Sequence, residues 1–317
     1  MIRQARVKPV TSALIALLIT AVFTTLIINM IKTPTARAAE AATTNNAIAV
    51  TDFLGREVAL EKPAQRIVAL APHVVENLFA AGVGDRIVAA VSYSDYPEQA
   101  KSIPRVGGYS NFSLEAIVAF KPDLVISWAS GSSSSNQLET QLSALDIPVY
   151  VSEPRRLEDV AEAIRDFAVL GGNPAVGEQA ALAYLQQLDE LRRENQGKAS
   201  VTVFYQIWHS PLQTLNGKHL ISDVIGLCKG RNIFADALGI APKVSVEAVL
   251  TANPQVIVAS GIGEQRPPWL DQWYDWPSLS AVQQGHLYFI PPDWSQRHTT
   301  RILKGARLLC EQLDRAR

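Results

Sequence analysis

Two fifteen-residue stretches with the same pattern decide how this chain folds. Residues 113–127 are SLEAIVAFKPDLVIS, and residues 245–259 are SVEAVLTANPQVIVA. Each begins with a serine suited to capping a helix, continues with apolar residues at helical spacing, meets a proline and ends in a short apolar run typical of a buried strand. The serine, glutamate, alanine and proline coincide without a gap at an offset of 132 residues. Such a repeat predicts two similar lobes, one in each half of the chain.

The same order of strand, helix and strand extends outward from these stretches. In the first half, the apolar run 67–70 is followed by Pro72 and by a helical stretch that ends at Gly82. Alternation of this kind is typical of a mostly parallel sheet covered by helices. The sequence therefore predicts an α/β fold with two similar α/β lobes, each built on a central, mostly parallel sheet.

We expect the lobes to be joined by one long rigid α-helix, with a ligand in the cleft between them. Apolar residues from Leu157 to Leu170 share one helical face, GGNP at 171–174 interrupts the pattern, and a second helical stretch runs to about Asn195. Packed helix resists wide hinge motion better than a flexible linker does, which predicts a largely pre-formed cleft. The predicted segments are a signal peptide (1–38), an N-terminal extension with a hairpin-like part (39–66), an N-terminal lobe (67–156), a helical linker (157–197) and a C-terminal lobe (198–317).

The N-terminus has the order of residues expected of a secretory signal. Arg3, Arg6 and Lys8 precede an apolar run from Thr11 to Ile31, and small residues around an A-x-A-like site at 36–38 follow. The run is also long enough for a membrane span, so an uncleaved anchor is the alternative. Either arrangement carries the rest of the chain across a membrane, which predicts the periplasm. No cysteine directly follows the run, which argues against a lipid-anchored lipoprotein.

Composition and charge limit the classes of partner. The 317 residues are 48% hydrophobic and 19% charged, which is ordinary for a globular protein. The net charge is −1, but the first 38 residues hold five basic and no acidic side chains, which leaves −6 on the rest. This negative charge on residues 39–317 argues against a nucleic-acid partner. The two cysteines, Cys228 and Cys310, are expected to form one disulfide in an oxidising compartment, and two buried thiols are the alternative.

Motifs of catalysis are absent from the sequence. It contains no Walker A loop, no GxGxxG, no HExxH, no GxSxG and no CxxC. The five histidines are scattered and lack the spacing of a zinc site, which favours surface or capping roles. His73 and His209 fall near the expected cleft, where one of them could ligate a haem iron. We expect no enzyme activity, no metal site and no cofactor.

Aromatic residues give a more specific indication. Ligands of open α/β sheets bind beyond the carboxyl ends of the strands, and aromatic residues follow several predicted strands here. Aromatic walls on both sides of a cleft suit a large, partly apolar ligand. The residues concerned are Tyr93, Tyr109, Trp128, Trp208 and Trp294. By contrast, Trp269, Trp273 and Trp276 are expected to pack the aromatic face of a helix.

An ordered set of segments extends along most of the chain: RIVALAP (66–72), ENLFAAGVGDRIVAAVSYSDYPEQA (76–100), VGGYSNFSLEAIVAFKPDLVISW (106–128), LISDVIGLCKGRNIF (220–234), VSVEAVLTANPQVIVASG (244–261), LYFIPPDWSQR (287–297) and TRILKGARLLC (300–310). This set resembles the periplasmic cobalamin-binding proteins of ABC importers. The resemblance runs from about Ile67 to Leu313 and includes both cysteine contexts. It implies two lobes joined by a rigid helix, with cobalamin held between them as a transported ligand and delivered to an inner-membrane ABC permease dimer with its ATPase subunits.

The resemblance also implies which residues contact the corrinoid. Aromatic faces pack on a wide corrin ring, while a carboxylate accepts hydrogen bonds from its amide edge. Tyr109 stands where the family has a tryptophan, and Trp208 stands where it has a glycine. A further family tryptophan is replaced by Ala241 or its neighbour, so the wall of the C-terminal lobe is rearranged. The implied ligand-binding residues, with Trp208 added by its position, are Tyr93, Tyr109, Trp128, Trp208, Pro292, Asp293, Trp294, Ser295 and Gln296.

Glu115 and Glu247 occupy the same place in the two repeated stretches. A carboxylate near a helix N-terminus is stabilised by the helix dipole, and this local role is the simpler interpretation. The resemblance implies instead that the pair docks onto arginines of a two-fold symmetric permease. We therefore expect a monomeric binding protein for cobalamin when free. The alternatives are a haem- or ferric-siderophore-binding protein of the same fold and, more remotely, a periplasmic hydrolase.

Overall fold

A computed structural model describes residues 48–108, 111–130, 135–261 and 263–317. The predicted signal peptide, Tyr109 and the first part of the predicted extension lie outside the described residues. Within the described part of the chain, no helix is long and apolar enough to cross a membrane.

The N-terminal lobe is a four-stranded parallel sheet with helices on both faces. The sheet has the strand order β4-β3-β7-β8, and residues 67–69 of β3 pair in register with 124–126 of β7. Two antiparallel hairpins, β1–β2 and β5–β6, accompany it. The strands are β1 (Ile48–Thr51), β2 (Glu57–Leu60), β3 (Ile67–Ala69), β4 (Ile87–Ala90), β5 (Gly107–Gly108), β6 (Asn111–Phe112), β7 (Leu124–Trp128) and β8 (Val149–Ser152). The helices are α1 (Pro72–Ala80), α2 (Leu114–Ala119) and α3 (Ser135–Ser143), with 3₁₀ turns at Gly84–Arg86 and Glu98–Ser102.

Two antiparallel helices connect the lobes: α4 (Leu157–Leu170) and α5 (Pro174–Asn195). Gly171 and Gly172 separate them, and Pro174 begins α5 at a position where its missing N–H costs no hydrogen bond. Gly177 of α5 lies so close to α4 that a Cβ there would sit 2.1 Å from Ala168 Cβ. The Tyr184 hydroxyl donates to the Leu157 carbonyl at 2.8 Å. The long helix is therefore packed along its length rather than free to bend.

The C-terminal lobe repeats the topology of the first. Its parallel sheet has the order β12-β9-β13-β14, so that β9, β12, β13 and β14 correspond to β3, β4, β7 and β8. The strands are β9 (Val201–Gln206), β10 (Trp208–His209), β11 (Leu212–Gln213), β12 (Gly230–Asn232), β13 (Val256–Ala259) and β14 (Leu287–Phe289). The helices are α6 (Leu220–Leu227), α7 (Val246–Ala252), α8 (Ser280–Gln283), α9 (Pro292–Ser295) and α10 (Ile302–Asp314), with a 3₁₀ segment at Pro268–Asp275. The predicted α/β fold of two similar lobes is confirmed.

Successive side chains along a strand point to opposite faces of the sheet, and each face packs against a different core. In β13, Val256 and Val258 enter one cluster of buried residues, whereas Ile257 and Ala259 enter another. The first cluster also contains Ile67 and Ala69 of the N-terminal sheet, together with residues of α1, α4, α5, α6 and α10. One apolar core therefore continues through both lobes, and each lobe has a separate core on its outer face.

Three histidines meet where the lobes join. His73 is the second residue of α1 in the N-terminal lobe, while His298 and His219 belong to the C-terminal lobe. The ring of His298 lies 5.4 Å from each of the other two. His73 and His298 are 4% and 3% exposed. Burial, with Arg297 nearby, lowers the pKa of His73 to about 3, and burial lowers that of His219 to about 4. Burial and the other two rings lower the pKa of His298 as well. The cluster is neutral at neutral pH.

The disulfide predicts one measurable contribution to stability. Cys228 and Cys310 are joined with a Cα–Cα distance of 4.7 Å, which confirms the expected bridge and ties the end of α6 to α10. Closing a loop of 82 residues stabilises a fold by roughly 4 kcal/mol in the chain-entropy model. The free energy of unfolding measured in urea should therefore fall by several kcal/mol when reductant is added. The Cys228→Ser/Cys310→Ser variant should be insensitive to reductant, and equal stability of the oxidised and reduced wild type would contradict this.

The histidine cluster predicts loss of stability in acid. Because the folded pKa values lie below the ordinary value of 6.5, the unfolded chain binds more protons between that pH and about 3–4. The free energy of unfolding should be at its full value above about pH 6.5. It should then fall by up to about 1.4 kcal/mol per pH unit for each histidine. Urea unfolding between pH 7.5 and 5 measures this slope.

The matched variants for this experiment separate the cluster from other histidines. His298→Asn should flatten the pH dependence, whereas His209→Asn, a change at an exposed position outside the cluster, should leave it unchanged. Identical slopes for wild type and His298→Asn would refute the assignment.

Candidate functional site

The predicted ligand residues lie where both sheets present the carboxyl ends of their strands. Tyr93 follows β4 in a left-handed conformation (φ 65°) and is 71% exposed. Trp128 is the last residue of β7 and is half-buried, with its ring 5.3 Å from that of His73. Trp208 follows β9 in the other lobe. The strand ends thus carry aromatic rings on both lobes, and Tyr109 lies outside the described residues.

The turn of α9 holds the remaining predicted residues, in three different environments. Ser295 is buried, and its hydroxyl contacts Ser260 Oγ at 3.0 Å and the Pro291 carbonyl at 3.1 Å. Gln296 is exposed, yet its amide donates to the carbonyl and hydroxyl oxygens of Ser260 at 3.1 and 3.0 Å. Pro292 is half-buried at the first position of the helix. These contacts fasten α9 to the end of β13.

Trp294 faces a groove bounded mainly by α5 and α10. It lines a cavity of about 660 Å³ together with Tyr96 and residues of α5 and α10. Its backbone is held close to α10, because a Cβ on Gly305 would lie only 2.1 Å from the Trp294 carbonyl oxygen. Only glycine at 305 permits this approach, and it fixes where the tryptophan ring stands.

A network of side-chain ion pairs connects the region around α9 to the N-terminal lobe. Arg297 contacts Glu76 at 2.8 Å, Asp95 at 3.0 Å and Asp293 at 3.0 Å. Arg301 contacts Glu76 at 2.6 Å and Asp293 at 3.5 Å. Glu76 is only 5% exposed, so its charge depends on the two arginines for compensation. Because Asp95 is two residues from Tyr93 and Arg297 is next to Gln296, the network brings the two predicted binding segments together.

The same network changes what Asp293 can offer a ligand. Its carboxylate is already engaged by two guanidinium groups, so it holds their orientation as well as accepting hydrogen bonds. The guanidinium of Arg301 also lies 4.1 Å from the ring centre of Tyr96, a cation–π contact. Burial alone opposes its charge, but Glu76 and Asp293 raise the pKa of Arg301.

Sequence reasoning missed Glu76, Asp95, Arg297 and Arg301, since the contacts of the two arginines with Glu76 and Asp95 join the two halves of the chain. The grouping of Trp269 with Trp273 and Trp276 is confirmed, because all three pack on the outer core of the C-terminal lobe along the 3₁₀ segment Pro268–Asp275. Trp273 is buried, with its indole N–H donating to Gln206 Oε1 at 2.7 Å. Trp269 is half-buried and also stacks on His209, a contact that the sequence did not indicate.

Glu115 and Glu247 have matching environments. Each is fully exposed at the second position of α2 or α7, following Ser113 or Ser245, whose hydroxyl accepts from the backbone N–H three residues on, at 3.0 and 3.2 Å. The helix N-terminal N–H group and this serine lower the pKa of each glutamate. The two carboxylates are therefore reliably charged.

No cation site accompanies these features in the described residues, which contain no group of three or more histidine, cysteine, aspartate or glutamate side chains arranged for a metal. His73 is enclosed in the histidine cluster, so an iron-ligating role near the cleft would fall to His209, which is exposed beside Trp208 and Trp269.

Comparison with known proteins places these observations in a family. The family model described as periplasmic binding protein matches residues 67–294. The vitamin B12-binding protein of Vibrio campbellii is 36% identical over 256 residues, covering 80% of this chain and 91% of the relative. That of Vibrio cholerae strain O395 is 38% identical over 252 residues, covering 79% and 90%.

Solved structures give the same result. The crystal structure of the periplasmic vitamin B12-binding protein of Vibrio cholerae has a TM-score of 0.74 and 37% identity, covering 80% of this chain and 98% of that one. A periplasmic haem-binding protein from Roseiflexus, at 23% identity and a TM-score of 0.69, covers 80% and 100% and shares the fold. The matched family is one of binding proteins rather than enzymes, and this chain belongs to the periplasmic binding protein family.

Proposed function

We propose that this protein captures cobalamin in the cleft between its lobes and delivers it to an ABC permease in the inner membrane. The observation that supports this most is the Asp95–Arg297 ion pair at 3.0 Å, which joins the Tyr93 loop of one lobe to the α9 turn of the other. The curated relatives with 36–38% identity are vitamin B12-binding proteins. Capture requires no covalent step, and the proposed role is therefore transport without catalysis.

The proposed binding residues suit the chemistry of a corrinoid. The corrin is a broad, largely apolar ring whose edge carries amides, and it needs both flat apolar surfaces and hydrogen-bonding groups. Tyr93, Trp128, Trp208 and Trp294 provide rings on both lobes, while Asp293 and Gln296 provide polar groups on α9. We assign Tyr109 to the same set by its place in the sequence, and Pro292 and Ser295 to shaping the turn.

Haem or a ferric siderophore is the alternative ligand within this fold. Titration of the purified protein with cyanocobalamin, haem and a hydroxamate siderophore discriminates among the three. The proposal requires cyanocobalamin to bind with a Kd below micromolar, and weaker binding combined with tight binding of either other ligand would overturn it.

The location and partners follow from the same proposal. Residues 1–38 act as the export signal, and the described body works in the periplasm as a free monomer. The partner is a permease dimer with ATPase subunits, whose two-fold symmetry matches the paired Glu115 and Glu247. Both helices begin at the carboxyl edge of their sheet, because each then runs back to the start of the next strand, β7 or β13. The two glutamates are therefore assigned to the same rim as the cleft.

Tyr93 provides the cleanest test of the binding residues. With 71% of its surface exposed, Tyr93→Ala should leave stability unchanged and weaken cyanocobalamin binding by about 1–3 kcal/mol, the usual cost of truncating an aromatic anchor. Trp294→Ala should weaken binding similarly. Isothermal titration calorimetry measures both, with Leu145→Ala as control, because Leu145 is 51% exposed and precedes the amino end of β8. Unchanged affinity in both aromatic variants would mean that the site lies elsewhere.

The glutamate pair is tested by separating capture from delivery. In Glu115→Lys/Glu247→Lys, repulsion should replace attraction to a basic permease surface and abolish cobalamin uptake, while the affinity of the purified protein for cobalamin stays the same. Each helix loses a first-turn charge worth about 0.3–1 kcal/mol, too little to unfold the protein. Uptake is measured in cells that depend on this chain.

The control for this experiment reverses two other exposed carboxylates, one in each half of the chain: Glu61→Lys/Asp275→Lys. It changes the net charge equally and should transport normally. Normal uptake by the Glu115→Lys/Glu247→Lys variant would refute the docking role and leave both glutamates with only the local role of stabilising a helix N-terminus.

A further inference from the structure

Three aromatic rings form a cluster on the C-terminal lobe, beyond the carboxyl edge of its sheet. The imidazole of His209 stacks on Trp269 with an interplanar angle of 11° and a centroid distance of 5.5 Å. Trp208 lies against the same imidazole at 5.3 Å, and its indole N–H donates to the Ser210 carbonyl at 2.9 Å. We call Trp208, His209 and Trp269 the C-lobe aromatic cluster. Its rings are held in place before any ligand arrives.

A cavity of about 330 Å³ adjoins this cluster. It is lined by Trp208, Gln265, Arg266, Pro267, Pro268 and Trp269. The tryptophans and prolines offer flat apolar surfaces, whereas the glutamine and arginine offer hydrogen-bond donors. Arg266 contacts Asp271 through Nη2 at 2.6 Å. A guanidinium has five N–H donors in all, so this ion pair orients Arg266 while leaving it able to bind an anion.

The cavity is built on the same loop system as the α9 turn. Ser260, at the end of β13, receives the hydrogen bonds of Gln296 and contacts Ser295. The next residue, Gly261, is packed against the cavity wall, because a Cβ there would lie 3.3 Å from Pro267 and 3.4 Å from Trp269. The cavity and the α9 turn are therefore neighbouring parts of one surface of the C-terminal lobe.

The combination of flat rings with one arginine identifies the chemistry of a matching ligand group. A planar heteroaromatic base attached to a phosphodiester would place its ring against the tryptophans and its negative charge near the guanidinium. Cobalamin carries this group: its nucleotide loop ends in a benzimidazole and contains one phosphodiester. Cobinamide has the same corrin ring but lacks the base and the phosphodiester.

We propose that this cavity receives the nucleotide loop of cobalamin, with the benzimidazole against Trp208 and Trp269 and the phosphodiester at Arg266. The inference rests on the proposed function and adds a specificity to it: the protein distinguishes complete corrinoids from those without a nucleotide. The corrin ring itself contacts Tyr93, Trp128 and the α9 turn in this arrangement.

The experiment compares two ligands across four proteins. Calorimetric titration with cyanocobalamin and with dicyanocobinamide is carried out on wild type, Arg266→Gln, Trp269→Ala and the control Arg231→Gln, which changes an exposed arginine on β12 of the same lobe. Wild type should bind cyanocobalamin at least about tenfold more tightly than cobinamide. Arg266→Gln and Trp269→Ala should each weaken cyanocobalamin binding about tenfold and leave cobinamide binding within about twofold of wild type. Arg231→Gln should resemble wild type with both ligands.

The possible failures are distinguishable. If wild type binds both corrinoids equally, or if Arg266→Gln weakens neither or both to the same extent, the nucleotide-loop site is refuted while cobalamin capture stands. If wild type binds neither corrinoid below micromolar concentration, the proposed function fails and the inference falls with it. Arg266 is on the surface, so its variant stays informative even if Trp269→Ala does not fold.

Discussion

One apolar core that runs through both lobes is the constraint on which the rest of the structure depends. Residues of both sheets and of α1, α4, α5, α6 and α10 belong to it, so the lobes cannot separate without exposing that core to water. Two-lobed proteins joined only by flexible strands close around a ligand, but here a large hinge motion would cost buried apolar area. The cleft is consequently a fixed shape, and affinity must come from groups already in position before the ligand binds.

The polar groups at the lobe junction make sense within that constraint. Burying Glu76 with Arg297 and Arg301 costs desolvation that the ion pairs only roughly offset, so their contribution is to geometry more than to stability. Both arginines hold Asp293 of α9 at 3.0–3.5 Å. They also contact Glu76 and Asp95 of the N-terminal lobe at 2.6–3.0 Å. The three neutral histidines beside them fill the junction without adding charge. Their common cost is an acid-sensitive interface, because protonating any of them buries a charge, and for His73 that charge also lies near Arg297.

The fold was predictable because its signals are local, and the site was only partly predictable because its contacts are not. The serine cap, the helical spacing and the proline all lie within fifteen residues, and they placed α2 before β7 and α7 before β13 correctly. Glu76 and Arg301 are 225 residues apart, and no local pattern relates them. Local spacing correctly placed Trp269 on the helical face that it shares with Trp273, but its stacking on His209 joins two distant parts of the chain and has no local signal.

Duplication of one topology places the aromatic strand ends and the paired glutamates at the same edge of each sheet. In a parallel α/β unit the strands end, and the following helices begin, at the same edge of the sheet. The loops that carry Tyr93, Trp208 and α9 therefore lie at the edge where Glu115 and Glu247 begin α2 and α7. The two copies have the serine-capped glutamate in common but differ in their loops: the Trp208–His209 hairpin follows β9 in the C-terminal copy, whereas α1 follows β3 in the N-terminal copy. A symmetric rim around an asymmetric cleft suits a two-fold partner on the outside and an asymmetric ligand within.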